Sequence, residues 1–333
     1  MEKIFYKTVV FCDNPLTGYY RFEDKFQIYP FVSENAPQSD KIKMYAVAIE
    51  YCADKNVEME LPELLKDVKE TIARTTHSTN YQRQILSLLS TVSNYRFYYP
   101  TPSMQWFGEI PNGELTEEIN KHKSKAGLSL YWYPEMFKEN QITSFTEPKF
   151  PKVEFVKHPD CFMNLDIEGK EEVKFTQHID VAIHNYFALM DDVREIVNSA
   201  VSLICNGIDL RISMKSISFI SFVSSIETMV NYEFRDEEVK KCETCGTQQF
   251  RVMGKFRDYL LKYASDNEKT KKEVNDIYNL RSKIAHTGLL LLGDNKIDWS
   301  NDAKQNEQWQ THIQVMQISR ISLTNWLLMR AKA

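Results

Sequence analysis

Two side chains able to handle protons and anions lie five residues apart near the end of a predicted helix. Arg281 and His286 form an Arg-x4-His pattern that is followed by Gly288, and Gly is a common residue just beyond a helix end. An imidazole titrates near neutral pH, so His286 can act as a general base or a general acid. A guanidinium stays charged, so Arg281 provides a fixed positive group beside it.

The position of Arg281 on its helix indicates a charge that faces the core or an interface rather than bulk water. It follows Val274 by seven residues and Tyr278 by three, which places it on the apolar stripe. An arginine there needs a partner, because an unpaired buried charge is costly. In an ideal helix a step of five residues turns His286 about 140° away from Arg281. We therefore expect the two groups to meet only if the last turn loosens or a second subunit completes the site. Alternatively, the pair only satisfies carbonyls at the helix end.

The elements that must position this pair are helices in the second half of the chain. Apolar periodicity, capping residues and Gly stops predict an all-helical domain over residues 176–333. Its first helix is expected to stop near Asn206 and Gly207, and a charged loop with two cysteines is expected after the second helix. The predicted helices are Gln177–Cys205, Ser213–Phe234, Gln249–Ala264, Ser265–His286 and Glu307–Met329.

The first half of the chain has a different pattern, which predicts a mixed α/β domain over residues 1–150. Segments rich in Val, Ile, Tyr and Phe indicate strands, and two segments with helical spacing lie between them. A proline-containing stretch, residues 151–175, is interpreted as a linker, so the predicted fold class is α+β. The predicted strands are Lys3–Phe11, Lys43–Tyr51, Tyr95–Tyr99 and Leu128–Trp132, and the predicted helices are Leu61–Ala73 and Tyr81–Val92.

Several segments together resemble the Apea-like branch of the HEPN family. The string RSKIAHTG matches the Arg-x4–6-His signature of HEPN ribonucleases, and Ser218–Glu227 looks like the family's second helix. Cys242-x2-Cys245, a following helix with Lys255-Phe256, and then Tyr278 look like the Apea-like branch. The resemblance implies a HEPN helical bundle with a Cys-x2-Cys loop insertion. It also implies a metal-independent endoribonuclease in anti-phage, abortive-infection defence.

The resemblance assigns roles to four residues. RNA supplies the 2′-hydroxyl as nucleophile, His286 moves the proton, and Arg281 holds the phosphate, giving 2′,3′-cyclic phosphate and 5′-OH ends. Glu227 is expected to orient Arg281, or alternatively to form a structural ion pair with it. Ser282 occupies the position where many members have Asn, Asp or His, and its hydroxyl can still hydrogen-bond.

Charge and symmetry suggest the partners. The net charge is −5, so RNA, as a single strand or a tRNA loop, must bind at local basic patches such as Lys271, Lys272 and Lys283. Alternatively these lysines only form a solvated face. A homodimer is expected, because twofold pairing would place two arginines and two histidines in one cleft. The resemblance also implies that the N-terminal domain responds to a phage-derived trigger or inhibitor.

A structural zinc site is a second expectation, although catalysis needs no metal. Cys242 and Cys245 have zinc-knuckle spacing, and a helical hairpin would bring His158 and Cys161 near them. His178 would lie near the same place. Ordinary free thiols are an equally acceptable interpretation of the two loop cysteines.

Other function classes lack their motifs. The sequence contains no GxxxxGK[ST], GxGxxG, HExxH or GxSxG string, which argues against a nucleotide-binding module and common hydrolases. The N-terminus does not resemble a signal peptide, and no run of about 18 apolar residues occurs. The expected location is the cytoplasm, with no membrane partner. The alternative function is a non-catalytic HEPN module for dimerisation or interaction.

Overall fold

The computed structural model describes residues 3–32, 44–54, 69–99, 105–108, 129–132, 140–163, 169–237, 251–265, 268–294 and 303–330. The chain divides into two compact units. The first comprises residues 1–90, 95–157 and 164–177, and the second comprises residues 91–94, 158–163 and 178–333. The first unit contains an antiparallel sheet, and the named elements of the second are helices. The predicted combination of a sheet-containing part with helices is thus confirmed.

The first unit is built on an antiparallel sheet with the order β2-β3-β4-β1-β5, and β8 also pairs with β1. Its inner strands form because their β-branched and aromatic residues pack well in a sheet. The predicted strands at Lys3–Phe11 and Lys43–Tyr51 correspond to β1 and β4. The strands are β1 Lys3–Cys12, β2 Tyr20–Phe22, β3 Phe26–Pro30, β4 Tyr45–Asp54, β5 Phe97–Tyr98 and β8 Asn140–Ile142.

Further elements of the first unit are one long helix and two short parallel pairs. The sequence suggested separate helices at Leu61–Ala73 and Tyr81–Val92, but helix α1, Lys69–Val92, is continuous from the end of the first through the second. Residues 61–68 lie outside the described residues. Residues 74–80 contain no Gly or Pro, so nothing in them breaks a helix. Strand β6, Gln105–Gly108, pairs with β7, Ser129–Trp132, and β9, Glu154–Val156, pairs with β10, Lys174–Thr176. The segment interpreted as a linker therefore contains β9 and the start of β10.

One carboxylate is fully buried within the first unit. Glu50 on β4 accepts hydrogen bonds from Gln27 Nε2 at 2.6 Å, Tyr29 hydroxyl at 2.7 Å and Thr146 backbone N–H at 2.8 Å. Three donors satisfy the charge, as a buried carboxylate requires.

The second unit contains the helices that carry the Arg-x4-His pattern. The helix predicted over Gln177–Cys205 is wrong as a single element, because it is interrupted at residues 188–190 and continues past Gly207. The helices of this unit are α2 His158–Met163, α3 Ile179–Phe187, α4 Asp191–Leu210, α5 Lys215–Glu233, α6 Val252–Tyr263, α7 Glu268–Thr287 and α8 Ala303–Met329.

Gly207 allows α4 and α5 to approach closely, and this explains why it does not end the helix. A Cβ atom at Gly207 would lie 2.6 Å from the ring of Phe222, well inside van der Waals contact. On the same contact, Ser218 Oγ donates a 2.5 Å hydrogen bond to the Gly207 carbonyl. The glycine was interpreted as a stop signal, but its role is close packing between helices.

Glu233, the last residue of α5, connects three helices. Its carboxylate accepts hydrogen bonds from Lys262 at 2.6 Å and Tyr263 at 2.7 Å on α6, and from Trp326 Nε1 and Arg330, each at 3.1 Å, at the end of α8. Partial burial by itself raises the pKa of Glu233, but the hydrogen bonds from Lys262, Tyr263 and Trp326 outweigh it and lower the pKa below its ordinary 4.5.

Replacing Glu233 by Gln should lower the free energy of unfolding near pH 7 by about 1–3 kcal/mol, because charge-assisted hydrogen bonds become neutral ones. A carboxylate whose pKa is depressed by folding stabilises above its unfolded pKa, and this contribution is lost as the pH falls through the folded pKa. The difference in the free energy of unfolding between parent and variant should therefore shrink as the pH falls below 4.5. Urea unfolding at a series of pH values measures it.

The matched control is Glu195→Gln on the exposed face of α4, where the carboxylate has no partner among the described residues. This variant should unfold like the parent at every pH. A Glu233→Gln protein as stable as the parent near pH 7 would contradict the assignment of Glu233 as a stabilising connection.

Candidate functional site

Arg281 on α7 is paired with Glu227 on α5. Arg281 Nε lies 3.2 Å from Glu227 Oε1, and Arg281 Nη2 donates to Glu227 Oε2 at 3.2 Å. The two side chains are 25% and 21% exposed, so both are largely removed from water. A two-point contact fixes the plane of the guanidinium as well as its position. The sequence-based expectation that Arg281 needs a partner, with Glu227 as the candidate, matches this geometry.

The same guanidinium reaches His286. Arg281 Nη1 lies 3.4 Å from His286 Nε2, while α7 stays helical as far as Thr287. The expectation that the pair meets only through a loosened turn or a second subunit is therefore wrong. That expectation considered only the directions in which the two residues leave the helix axis. The long side chain of Arg281 can bend across the angle between them and reach His286. In the geometry that pairs them, Nη1 donates and Nε2 accepts, which leaves Nδ1 of a neutral His286 as the protonated nitrogen.

The end of α7 exposes this pair. Gly288 follows with φ +68°, a left-handed conformation that suits glycine, and its N–H bonds to the Ile284 carbonyl at 3.2 Å. His286 is exposed, and the two residues that follow Gly288, Leu289 and Leu290, are exposed apolar side chains. An incoming ligand can thus reach the imidazole from solvent.

The buried side of α7 explains why Arg281 lies where it does. Val274, Ile277 and Ile284 are buried at spacings of three and seven residues, and Arg281 falls on the same stripe. The predicted apolar stripe is confirmed. Packing of this stripe positions the guanidinium stem, and only the charged head remains to be satisfied by Glu227.

The loop after α7 is fastened to the start of α5. Asp294 Oδ1 accepts from Lys215 N–H at 2.8 Å, and Oδ2 accepts from Ser216 N–H at 2.8 Å and Ser216 Oγ at 2.5 Å. Ser216 Oγ also accepts from Leu291 N–H at 2.7 Å. Asp294 therefore caps α5 from a remote part of the chain. No local pattern indicates this cap, because the capping residue lies 79 positions away from Lys215.

The other residues expected to serve the site, Ser282 and three lysines, lie at various distances from the Arg281–His286 pair. Ser282 is half-buried and makes no hydrogen bond to Arg281 or His286 in the described part of the chain. Lys283 is exposed in the same turn of α7. Lys272 and Lys271 lie nine and ten residues before Arg281, which corresponds to about 14 Å along the helix. The structure thus brings Glu227 and His286 to Arg281, whereas Lys271 and Lys272 lie further towards the start of α7.

The proposed zinc ligands are only partly described. Cys242 and Cys245 lie outside the described residues. His158 Nε2 donates to Asn325 Oδ1 at 2.8 Å, because the Asn325 amide nitrogen is used on the Tyr263 carbonyl. The His158 and His178 rings are 5.8 Å apart, and Cys161 is buried. Burial lowers the pKa of His158. Within the described ranges, no three His, Cys, Asp or Glu residues converge as metal ligands would.

Comparison of the chain with protein-family models, curated proteins and solved structures finds no match. Among the helices that the structure describes, none combines the length and apolar character needed to cross a membrane.

A double-mutant cycle between Glu227→Gln and Arg281→Met should show a coupling free energy of about 1–2 kcal/mol, because both partners are largely buried and share two contacts. Urea unfolding of the parent, the single variants and the double variant measures it. The matched control is the exposed pair Arg251–Asp258, whose side chains are 48% and 43% exposed and lie 3.5 Å apart. Its coupling should stay below about 0.5 kcal/mol. Equal coupling free energies in the two pairs would show that the Glu227–Arg281 contact stabilises the protein no more than an exposed ion pair does.

Proposed function

We propose that this chain is a metal-independent endoribonuclease of the HEPN type and that Arg281 and His286 are its catalytic residues. The supporting observation is the distance of 3.4 Å between Arg281 Nη1 and His286 Nε2 at an exposed helix end. Glu227 holds the opposite edge of the guanidinium, so one face of Arg281 is fixed and another faces the imidazole. A fixed cation beside an accessible imidazole is the pair that this cleavage reaction needs.

In the proposed reaction RNA supplies its own nucleophile. His286 Nε2 takes the proton from the 2′-hydroxyl as that oxygen attacks the adjacent phosphorus. The bond from phosphorus to the 5′ oxygen breaks, and that oxygen takes a proton from an imidazolium. The products are a 2′,3′-cyclic phosphate and a 5′-OH. Arg281 stabilises the negative charge on the non-bridging oxygens, and Glu227 keeps the guanidinium in place.

The biological setting follows from the family resemblance. In this proposal α4, α5, α7 and α8 belong to a HEPN bundle, and the protein acts in the cytoplasm in anti-phage defence. Single-stranded RNA or a tRNA loop would approach along α7, where Lys272 and Lys283 are exposed. The sheet-containing unit would respond to a phage-derived trigger or inhibitor.

A homodimer is the proposed active assembly. One helix end offers one imidazole, whereas the reaction uses a base and an acid. Apolar side chains are exposed on both helices of the site: Ile217 on α5 is 51% exposed, and Leu289 just after α7 is 63% exposed. Burying them against a second copy would bring two Arg-His pairs into one cleft.

The Glu227–Arg281 pair also supports a second candidate function. A largely buried ion pair between α5 and α7 stabilises the helical unit whether or not His286 acts as a base. The chain would then be a non-catalytic module that uses its exposed apolar residues to dimerise or to bind another protein. Cleavage assays separate the two candidates.

Purified protein should cleave total RNA in the presence of EDTA, and the new ends should be 2′,3′-cyclic phosphate and 5′-OH. His286→Ala should reduce the cleavage rate at least about a hundredfold, because the proton-transferring group is lost. Arg281→Ala should have a similar effect through loss of charge stabilisation. The matched control is His184→Ala, which removes an exposed histidine from α3. Cleavage by both site variants at the parental rate would overturn the site assignment.

Co-expression of Arg281→Ala and His286→Ala chains tests the dimer. A mixed dimer retains one arginine and one histidine in its cleft, so it should recover part of the activity that each variant lacks alone. Mass measurement in solution should give twice the chain mass. A parent protein that is monomeric at about micromolar concentration and fully active would end the dimer proposal.

A further inference from the structure

A cavity of about 110 Å³ lies beside the start of α5, apart from the Arg281 site. Its walls come from the first residue of α5, the loop after α7 and the first turns of α8. Lys215 precedes Glu227 by twelve residues on α5, which corresponds to about 18 Å. The lining residues used below are Lys215, Leu291, Gln305, Gln308, Trp309 and His312.

His312 presents an unused hydrogen-bond acceptor in this wall. Its side chain is 3% exposed, and Nε2 lies 2.8 Å from Ser218 Oγ. Ser218 Oγ donates its single proton to the Gly207 carbonyl, so Nε2 must be the donor to Ser218. Nδ1 of the neutral ring therefore carries a lone pair, and it has no hydrogen-bond partner among the described residues. Burial lowers the pKa of His312 to about 4, so the ring is neutral near pH 7.

The other polar side chains in the wall each offer an N–H donor that is not used. Lys215 is half-buried, and its ammonium group has no ion-pair partner within the described ranges. Gln308 Oε1 accepts from Leu292 N–H at 2.9 Å, which leaves the Gln308 amide N–H groups unused. Gln305 is half-buried and makes no side-chain hydrogen bond to the residues that the structure describes. The named lining residues include no carboxylate, so the cavity offers a cation and amide N–H donors beside the acceptor nitrogen of His312.

A ligand that satisfies all of these groups must be an anion that still carries a proton. Its charged oxygens would accept from Lys215 and the glutamine amides, and its hydroxyl would donate to His312 Nδ1. Hydrogen phosphate has this combination near neutral pH. Sulfate is fully ionised, and a phosphate monoester is mostly ionised because its second pKa is about 6. Both would direct an oxygen lone pair at the lone pair of Nδ1.

We propose that this cavity binds inorganic phosphate through Lys215, the Gln305 and Gln308 amides and His312 Nδ1. The bound ion bridges α5 and α8 beside the Asp294 cap, so binding stabilises the junction between these helices. The site is independent of the proposed ribonuclease activity, since it shares no residue with the Arg281–His286 pair.

Isothermal titration of the full chain, prepared without phosphate, tests the ligand chemistry. Phosphate and arsenate, which both retain a proton, should bind saturably and raise the melting temperature. Sulfate and AMP at matched ionic strength should bind at least about tenfold more weakly, because the Nδ1 acceptor stays unsatisfied. Sulfate binding as tight as phosphate binding would overturn the role of His312, and absence of phosphate binding would overturn the site.

Two variants test the location without changing the buried histidine. Lys215→Met keeps the side-chain stem and the backbone N–H that Asp294 caps, and it should weaken phosphate binding about tenfold or more. Gln305→Glu places a negative charge in the cavity and should abolish binding even if the lysine variant folds poorly. The control is Lys304→Met, which removes a charge one residue outside the lining. If both lining variants bind phosphate like the parent, the ion binds elsewhere and the proposal is wrong.

Discussion

The candidate site depends on the need to pair a guanidinium that lies on the apolar side of a helix. Arg281 shares a stripe with Val274, Ile277 and Ile284, so α7 cannot bury that stripe without drawing Arg281 partly out of water. Glu227 on α5 compensates the charge by contacting two nitrogens of the Arg281 guanidinium. Since an unpaired buried charge is strongly destabilising, the position of α7 against α5 and the direction of Arg281 are set by the same contact.

Contacts with distant segments, two of them polar, reinforce this arrangement around α5. Its beginning is capped by Asp294, its middle packs a phenylalanine ring on Gly207, and its end places Glu233 among donors from α6 and α8. The Asp294 and Glu233 contacts satisfy polar groups that would otherwise lose water without gaining a partner, and the Gly207 contact allows close packing. Together they hold the helix that bears Glu227 at both ends, so the carboxylate has little freedom to leave Arg281.

Sequence reasoning succeeded where the controlling interaction is local. Helices α5 and α7 follow from apolar periodicity, and the need of Arg281 for a partner follows from its place on the stripe. The interruption after Phe187 was missed because residues 188–190 are good helix formers and contain no Gly or Pro. Gly207 was interpreted as the end of a helix because the residue that requires a glycine there, Phe222, lies on another helix. The Asp294 cap and the His312 cavity are formed by residues far apart in the sequence, so no spacing rule could show them. The loop with Cys242 and Cys245 lies outside the described residues.

The contact between Arg281 and His286 links the occupancy of the guanidinium to the availability of the imidazole lone pair. The hydrogen on Nη1 that now points at His286 Nε2 can instead point at an anion, and the imidazole lone pair is then released. An anion that binds at Arg281 can therefore change what His286 Nε2 contacts through an exchange of side-chain hydrogen bonds alone, with no movement of the backbone.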